Sequence, residues 1–344
     1  MHDFSDKPNK RKKQLDPELD PDFAPDFAPE FAAEPLVPVD LGESRAAVRA
    51  VSLASVPGDL PAFPRRQRDS TKYDCGRVVV VAGSRGMAGA AALASMATLR
   101  SGAGLVEAVV PASIQATVAG FDPCVMTCGL AEDEQGRFAA AGLLEMFERC
   151  TRADAVAVGP GLGRSDSLVR IVAELWRALP VPAVFDADGL WALAQLKPTQ
   201  WADHAGPRVL TPHVGELQRL LGNQPSRAAA QDRAELEQAA VKLACETGCV
   251  VVLKGPGSLI TDGTRQAHNE TGNPGMATAG TGDVLTGIVT ALLAQGMKTY
   301  EAARLGVWLH GAAGDAAAAT VGEISLTAGD LLRHCSRKIE DVIS

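Results

Sequence analysis

The stretch NPGMATAGTGDVLTGIVTALLAQG, residues Asn273–Gly296, joins a run of small residues to an apolar helical segment. Small residues let the backbone approach a ligand closely, and glycine permits the positive φ angles that an amide nest requires. Because the N–H groups at a helix start are unpaired, they bind phosphate. Asp283 stands directly after the small residues. A carboxylate beside a bound phosphate is a poor cap, but it is well placed to take a proton from an attacking hydroxyl.

Short apolar runs alternate with helical segments before this stretch, and helical segments dominate from Asp283 onward. The strand-like runs are Arg77–Val81, Leu105–Val110, Ala155–Val158, Ala183–Phe185, Val209–Leu210 and Val250–Leu253. The predicted helices are Ala90–Arg100, Ser167–Ala178, Ala228–Glu246, Val284–Gln295, Tyr300–Ala319 and Thr327–Ile343. This alternation predicts an α/β fold with a central, mostly parallel β-sheet and helices on both faces. We assign residues 66–344 to this one domain.

Residues 1–65 have a different composition. Asp16–Pro35 reads DPELDPDFAPDFAPEFAAEP, with a phenylalanine at every fourth position from Phe23 to Phe31. Proline at this density breaks helices, and the segment has too little apolar surface to offset its ordering entropy. It is therefore predicted to be a disordered tail, in which the regular phenylalanines could also form a docking motif.

Composition excludes several classes of function. A net charge of −8 and an aromatic content of 4% disfavour a nucleic-acid partner. No apolar run reaches the ~18 residues of a membrane span, and the N-terminus lacks a signal peptide. The seven cysteines are scattered without a CxxC pair, as is typical of free thiols in a reducing compartment. These features predict a cytoplasmic protein without a membrane partner.

Glycine-rich loops follow two of the predicted strands, at the sheet edge where ligands bind in open α/β folds. Val78–Ala94 carries a GxxGxxG spacing, and Ala155–Ser167 carries GxGxG. Asp186 lies some twenty residues beyond the second loop, which resembles a dinucleotide-binding fingerprint, but the spacing is off by one and Pro160 interrupts it. Tight strand-to-helix turns explain the glycines equally well.

Acidic side chains and a histidine follow the next two strands. Asp186 and Asp188 lie in VFDADGLWAL, where they could orient a substrate or a hydrated cation, or cap the following helix. In RVLTPHVGELQRLLG, His213 falls in the turn and Glu216 in the first helical turn. The helix dipole accounts for Glu216, whereas His213 has no such default role.

Lys254 ends a buried strand in CVVVLKGPGSLITDG and is followed by Gly255 and Gly257. Because an unpaired lysine is costly to bury, its position indicates an anion as partner, which the backbone amides of the glycines would share. A surface hairpin turn is the alternative interpretation.

These motifs together resemble the NAD(P)H-hydrate dehydratase family, whose members are repair enzymes with a ribokinase-like fold. The motifs that carry the resemblance are the opening stretch, TPHVGE, LKGPGSLITDG, DADGL and GMAGAAALASMATLRSGAGL. They occur in the family's order, and the resemblance covers roughly Arg66–Ile343. It also implies a homo-oligomer, namely a tetramer.

The resemblance implies a reaction and a role for each matching residue. The family uses ADP or ATP to remove the water that adds to C6 of NADH or NADPH, through a phosphorylated intermediate. Asp283 would deprotonate the C6 hydroxyl, and Glu216 would organise Mg²⁺. The hydrate (NADHX or NADPHX) would contact Ala90, Gly161 or Gly163, His213 and Asp283. The nucleotide would be bound by Lys254, Gly255, Pro256, Gly257, Ser258 and Gly282.

Many relatives also carry an epimerase domain that interconverts the R and S hydrates. The leading 65 residues are too few to form one, which predicts action on the S epimer and a separate epimerase. The first rival is a kinase of the same fold acting on a hydroxymethyl heterocycle or a sugar. Such kinases usually carry Asn at the position of His213, so His213 and the GMAGA loop favour the dehydratase. A second rival is a catalytically silent nucleotide-binding module.

Overall fold

The computed structural model describes residues 56–196, 200–222 and 232–343. The predicted tail up to residue 55, with its phenylalanine repeat, and residues 228–231 of the predicted helix Ala228–Glu246 lie outside the described residues. The sequence assigned Leu60 and Phe63 to the tail. In the structure both pack against the main apolar core, and Phe63 is 8% exposed. The folded body therefore includes residues before 66.

A single nine-stranded sheet forms the centre of the domain, in the order β3-β2-β1-β4-β5-β6-β7-β8-β9. Its strands are β1 (Arg77–Val81), β2 (Leu105–Pro111), β3 (Met126–Leu130), β4 (Ala155–Val158), β5 (Ala183–Phe185), β6 (Arg208–Leu210), β7 (Val250–Leu253), β8 (Ser258–Thr261) and β9 (Gln266–Asn269). Strands β1 to β7 pair in parallel, whereas β8 and β9 are antiparallel. The predicted fold class is confirmed, and each predicted strand is found to within one residue.

Helices cover both faces of the sheet, as predicted. They are α1 (Ala88–Arg100), α2 (Gln115–Ala119), α3 (Leu143–Thr151), α4 (Asp166–Ala178), α5 (Asp188–Leu193), α6 (Val214–Leu220), α7 (Arg233–Thr247), α8 (Thr281–Ala294), α9 (Thr299–Val321) and α10 (Ala328–Ile343). The core on one face contains residues of α1, α8, α9 and α10, and the core on the other contains residues of α3 to α7. No described helix is long and apolar enough to cross a membrane.

Alternate side chains of the central strands pack into the two apolar cores on opposite faces of the sheet. In β1, Val78 and Val80 belong to the core under α8, while Val79 and Val81 belong to the opposite one, and all four are 0% exposed. Successive side chains of a strand point to opposite faces, so a strand covered on both sides is apolar throughout. This explains the continuous apolar runs of the sequence.

The carboxyl ends of the parallel strands meet at one edge of the sheet. Strand order reverses between the neighbours β1 and β4, which is where ligands bind in open α/β sheets. Helix α8 also begins at this edge, at Thr281, whereas the sequence predicted a start at Val284. The helix starts earlier because Gly280 adopts the left-handed conformation as its N-cap, with φ 90°. Asp283 consequently lies in the first helical turn.

Candidate active site

The head of α8 is an open amide nest. Its N-cap Gly280 offers no side-chain cap, and the first amide that bonds back to the chain is that of Val284, at 3.1 Å from the Gly280 carbonyl oxygen. The amides of Thr281, Gly282 and Asp283 have no intrahelical acceptor, and none of the described residues outside the helix accepts from them. Together with the helix dipole, these unpaired amides are suited to bind an anion, which is the role that the sequence analysis predicted for this stretch.

Asp283 carries a carboxyl group with a strongly perturbed pKa. Burial raises its pKa to about 7, helped by the charges of Asp186 and Asp188 and opposed by that of Lys254. The side chain keeps partial access to solvent. A carboxyl group with a pKa near 7 is half ionised at neutral pH and is a strong enough base to accept a proton from an attacking hydroxyl. This geometry fits the predicted role of Asp283 as a general base.

Lys254 forms a buried ion pair at the centre of the site. Its ammonium lies 2.7 Å from Oδ1 of Asp186, whose side chain is only 2% exposed. The other carboxylate oxygen of Asp186 accepts a hydrogen bond from Thr286 Oγ1 on α8, at 2.8 Å. The sequence predicted an external anion as the partner of Lys254, and the structure instead supplies this carboxylate from the end of β5.

Lys254 also lies close to other predicted site residues. Its ammonium lies 3.7 Å from Oε2 of Glu216, and its amide donates to the Pro212 carbonyl oxygen at 2.8 Å. A Cβ built on Gly282 would lie 3.5 Å from the ammonium. Burial by itself would lower the pKa of Lys254, but Asp186, Glu216 and Asp283 outweigh it and hold the pKa above its ordinary value. The lysine therefore stays charged.

His213 and Glu216 form a capping box at the start of α6. The imidazole Nδ1 of His213 accepts from the amides of Gly215 and Glu216, at 3.0 and 3.3 Å, and the Glu216 carboxylate accepts from the His213 amide at 2.8 Å. His213 thus has a structural role, which the sequence analysis did not assign. Its other ring nitrogen, Nε2, lies 3.5 Å from Oε1 of Glu216, and the imidazole as a whole is exposed and can be reached by a ligand.

The predicted magnesium role of Glu216 stays a prediction. Its carboxylate already accepts the His213 amide and faces the Lys254 ammonium. No group of three or more His, Cys, Asp or Glu residues that could hold a metal ion occurs in the described part of the chain. Because Mg²⁺ is commonly held by one or two carboxylates together with the phosphates of a nucleotide, this finding does not test the magnesium prediction.

The loops after β1 and β4 bring three further predicted residues together. A Cβ built on Gly161 would lie 2.9 Å from the Cβ of Ala90, so these two positions are in direct contact. The amide of Gly163 donates to Asp188 Oδ2 at 2.8 Å. Asp188 thus makes no capping bond to α5; it holds the β4 loop in place, with Oδ1 lying 3.6 Å from Nε of Arg164 in the same loop. Gly159 in the same loop must be glycine, because a Cβ there would lie 1.8 Å from the Asp186 carbonyl oxygen.

Ala187 separates the two aspartates and adopts φ 49°, which is rare for a residue with a side chain. Its conformation sends the carboxylate of Asp186 towards Lys254 and that of Asp188 towards Gly163. Such strain typically occurs at functional sites. Both carboxylates also raise the pKa of Asp283, which links the β4 loop electrostatically to the head of α8.

Residues Lys254–Ser258 form the turn between β7 and the antiparallel β8, so the hairpin interpretation is correct for this segment. Gly255 and Gly257 have positive φ angles of 142° and 65°. The hydroxyl of Ser258 donates to the Gly255 carbonyl oxygen at 2.8 Å, and Arg233 donates to the Gly257 carbonyl oxygen at 3.1 Å. The turn is exposed apart from its first and last residues, and it is fixed in shape beside the nest.

The predicted site residues thus form two connected groups at one sheet edge. His213, Glu216, Lys254, Gly282 and Asp283 surround the ion pair, and Ala90, Gly161 and Gly163 lie at the β1–β4 crevice.

The sequence analysis missed Thr286, Arg233 and His310, whose Nε2 lies 2.8 Å from the Thr281 carbonyl oxygen at the head of α8, and it left Asp186 undecided. Thr286 could have been recognised from the sequence, since it is a polar residue three positions after Asp283 within an otherwise apolar helix. No local pattern marked the other two as site residues, because each acts through a contact distant in sequence.

Comparison with known proteins identifies the family. The family model described as NAD(P)H-hydrate dehydratase matches residues 78–337. The chain is 44% identical over 290 residues to the bifunctional NAD(P)H-hydrate repair enzyme Nnr of Moorella thermoacetica, covering 82% of this chain and 54% of that enzyme. It is 41% identical over 285 residues to the enzyme of the same name from Vibrio cholerae, again covering 82% and 54%. The chain therefore spans about half the length of these relatives.

A solved structure supports the same assignment. The ADP/ATP-dependent NAD(P)H-hydrate dehydratase from Bacillus subtilis, co-crystallized with ATP and Mg²⁺, superposes with a TM-score of 0.68 at 26% identity. The match covers 82% of this chain and 95% of that one. The ribokinase-like fold is thereby confirmed, and the chain belongs to the NAD(P)H-hydrate dehydratase family.

Proposed function

We propose that this protein dehydrates the S epimer of NADH or NADPH hydrate, with ADP as phosphoryl donor, to give NAD(P)H, AMP and phosphate. One observation carries the proposal. A carboxyl group with a pKa of about 7, Asp283, lies in the first turn of a helix whose head amides are unpaired. Phosphoryl transfer to an alcohol requires a base beside a phosphate site, and this arrangement supports both roles. Family membership supports the choice of substrate.

The proposed reaction has two steps. The C6 hydroxyl oxygen of the hydrate attacks the β-phosphorus of ADP while Asp283 accepts its proton, and AMP leaves. The bond between C6 and its oxygen then breaks, phosphate departs with the electron pair, and loss of a proton from C5 restores the ring double bond. The amides of Thr281 and Gly282 would stabilise the charge on the transferring phosphoryl group, since they are already oriented towards it. Lys254 would contribute charge rather than a direct contact.

The other proposed contacts, with the nucleotide and with the hydrate, involve the two groups of site residues described above. We propose that the turn Lys254–Ser258 receives the nucleotide, because it is fixed beside the nest and carries glycines that allow close approach. The exposed imidazole of His213 and the backbone around Ala90, Gly161 and Gly163 would receive the hydrate. A separate epimerase and a homotetramer stay predictions. We also propose a reducing compartment, since all seven cysteines are free thiols.

A repair assay tests the proposed function. Incubation with NADH hydrate, Mg²⁺ and ADP should restore the absorbance of reduced nicotinamide, with one AMP and one phosphate formed per NADH. A parallel incubation with ATP measures which nucleotide is preferred. No recovery with either nucleotide would contradict the proposal. A phosphorylated alcohol that accumulates without NADH would instead indicate the kinase of the same fold.

The pH dependence of the reaction should report the ionisation of Asp283. Because only the carboxylate can accept a proton, and the pKa lies at about 7, kcat/KM should rise with pH up to that value. Below it, the rate should fall about tenfold per pH unit. Initial rates measured between about pH 5 and about pH 9 check this, with substrate stability controlled separately. A rate that stays constant down to the ordinary aspartate pKa of 3.8 would contradict the raised pKa of Asp283.

A further inference from the structure

Helix α9 lies alongside the segment that leads into the nest. We call residues 271–281 the leading segment, since they connect the edge strand β9 to the head of α8. The sequence of α9 contains WLHGAAGD, Trp308–Asp315, which the proposed reaction does not use. His310, Gly311, Gly314 and Asp315 lie on one side of this helix, because residues three or four positions apart are neighbours on a helix surface and Gly311 and Gly314 link the other two.

His310 contacts the C-terminal end of the leading segment. Its Nε2 lies 2.8 Å from the carbonyl oxygen of Thr281, which accepts the imidazole proton. Burial lowers the pKa of His310 to about 4, so the ring is neutral at physiological pH. Thr281 is the first residue of α8, and its carbonyl belongs to the peptide unit that carries the Gly282 amide. The imidazole therefore fixes the plane of a peptide group whose N–H faces the nest.

Asp315 contacts the other end. Its carboxylate accepts from the Gly272 amide at 2.9 Å and from the Asn273 side-chain amide at 3.0 Å. The Asn273 carbonyl oxygen in turn accepts from the Gly275 amide at 3.0 Å. A charged acceptor with two neutral donors gives stronger hydrogen bonds than a neutral one. The start of the leading segment is thus tied to α9 by a short network.

Between these two contacts, glycines allow the segment to lie directly on α9. A Cβ built on Gly311 would lie 2.2 Å from Thr271 Oγ1, and one built on Gly314 would lie 2.3 Å from Met276 Sδ. Thr271 also donates through Oγ1 to the Trp308 carbonyl oxygen at 3.1 Å. The segment is therefore in contact with α9 near both ends and at its centre.

We propose that His310 and Asp315 are positioning residues that set the orientation of the nest amides and thereby the affinity for the nucleotide. Neither side chain needs to touch a substrate, because both act through the leading segment. The inference rests on the proposed function in that it takes the nest as the nucleotide site. The alternative is that the two residues only stabilise the fold.

Calorimetric titration with ADP, which needs no turnover, separates these possibilities. His310→Leu removes one neutral donor and should weaken ADP binding about fivefold, whereas His310→Gln keeps a donor and should bind ADP nearly as well as the wild type. Asp315→Ala removes a charged acceptor and should weaken binding by about tenfold to about a hundredfold. The double variant should lose less than the product of the single losses, because both residues act on one segment.

Two matched controls test for effects of general destabilisation. Asp262 accepts amides of its own turn, from Thr264 at 2.9 Å and Arg265 at 2.6 Å, at the end of β8 opposite to the Lys254–Ser258 turn. His334 contacts Asp330 and Thr320 between α10 and α9. Asp262→Ala and His334→Leu should lower the urea midpoint as their counterparts do, yet leave ADP affinity unchanged.

Hydrogen exchange of the peptide containing residues 271–283 provides a readout independent of the nucleotide. In His310→Leu and Asp315→Ala the amides of this peptide should exchange faster, while those of α4 should not change. Equal exchange and equal ADP affinity in wild type and variants would overturn the positioning role. Faster exchange together with a wild type that does not bind ADP would support the ordering of the nest amides by the two residues, but it would overturn the nucleotide as ligand and with it the proposed function.

Discussion

Asp283→Asn should lower the turnover of NADH hydrate by about 10²–10⁴-fold while leaving ADP affinity almost unchanged, since a base is lost and the nest is kept. Asparagine has nearly the same shape as aspartate and cannot accept the hydroxyl proton. Single-turnover rates and calorimetric titration with ADP measure the two effects separately. Comparable turnover in both proteins would assign the base to another residue or favour the silent nucleotide-binding module.

The same substitution should make the folded protein more stable at alkaline pH. The folded-state pKa of about 7 lies above the ordinary 3.8, so the folded state retains a proton in this interval that the unfolded state has lost. The wild type therefore loses stability as the pH rises through the interval, and asparagine removes that loss. Urea unfolding at about pH 8 should favour the variant by up to about 4 kcal/mol, and at about pH 4 the two should nearly agree. Equal stability at both pH values would contradict the raised pKa.

Lys254→Met should destabilise the fold by about 3–5 kcal/mol, because it leaves the buried carboxylate of Asp186 without its charge partner. The carboxylate is 2% exposed, and after the change its remaining hydrogen bond is the one from Thr286. Urea unfolding measures the loss. Removing both charges, in Lys254→Met with Asp186→Asn, should cost less than the sum of the single changes. Additive losses would show that the ion pair contributes no coupling.

The two single variants should also shift the pH profile in opposite directions. The charge of Lys254 lowers the pKa of Asp283, so its removal moves the rise in kcat/KM to higher pH. The charge of Asp186 raises that pKa, and Asp186→Asn therefore moves the rise to lower pH. A purely structural role for the ion pair would reduce the rate in both variants without displacing the profile.

The sequence predicted the central sheet well and its edges poorly. Strands β1, β4 and β7 are apolar throughout because helices cover both of their faces, and that pattern is visible in the residues themselves. The edge strand β3 is partly exposed and reads MTCGL, and the hairpin β8–β9 is short, so neither has this signature. Arg208 is a further residue that the apolar pattern did not assign to a strand, although it is the first residue of β6. It is 1% exposed, and its guanidinium donates to carbonyl oxygens of Trp176 and Leu179 at the end of α4.

The site was predictable where one short motif contains the whole feature. The nest and Asp283 lie within a single stretch, so small residues before an apolar helix were a sufficient signal. The charge partner of Lys254 was not predictable, because Asp186 lies 68 positions away and only the parallel sheet brings the two together. The capping role of His213 was missed because histidine is an uncommon residue at that position.

Lys254 is the lysine next to the nest among the described residues, and its ammonium is already paired with Asp186. Under the proposed function, recognition of phosphate would therefore depend mainly on main-chain dipoles, which every amino acid except proline supplies. Substitution of one side chain can change the geometry of such a site, but it cannot remove the main-chain donors. If the proposed function holds, changes in the neighbouring loops would alter which alcohol is accepted during divergence. Binding of the phosphate donor by the main chain would be retained.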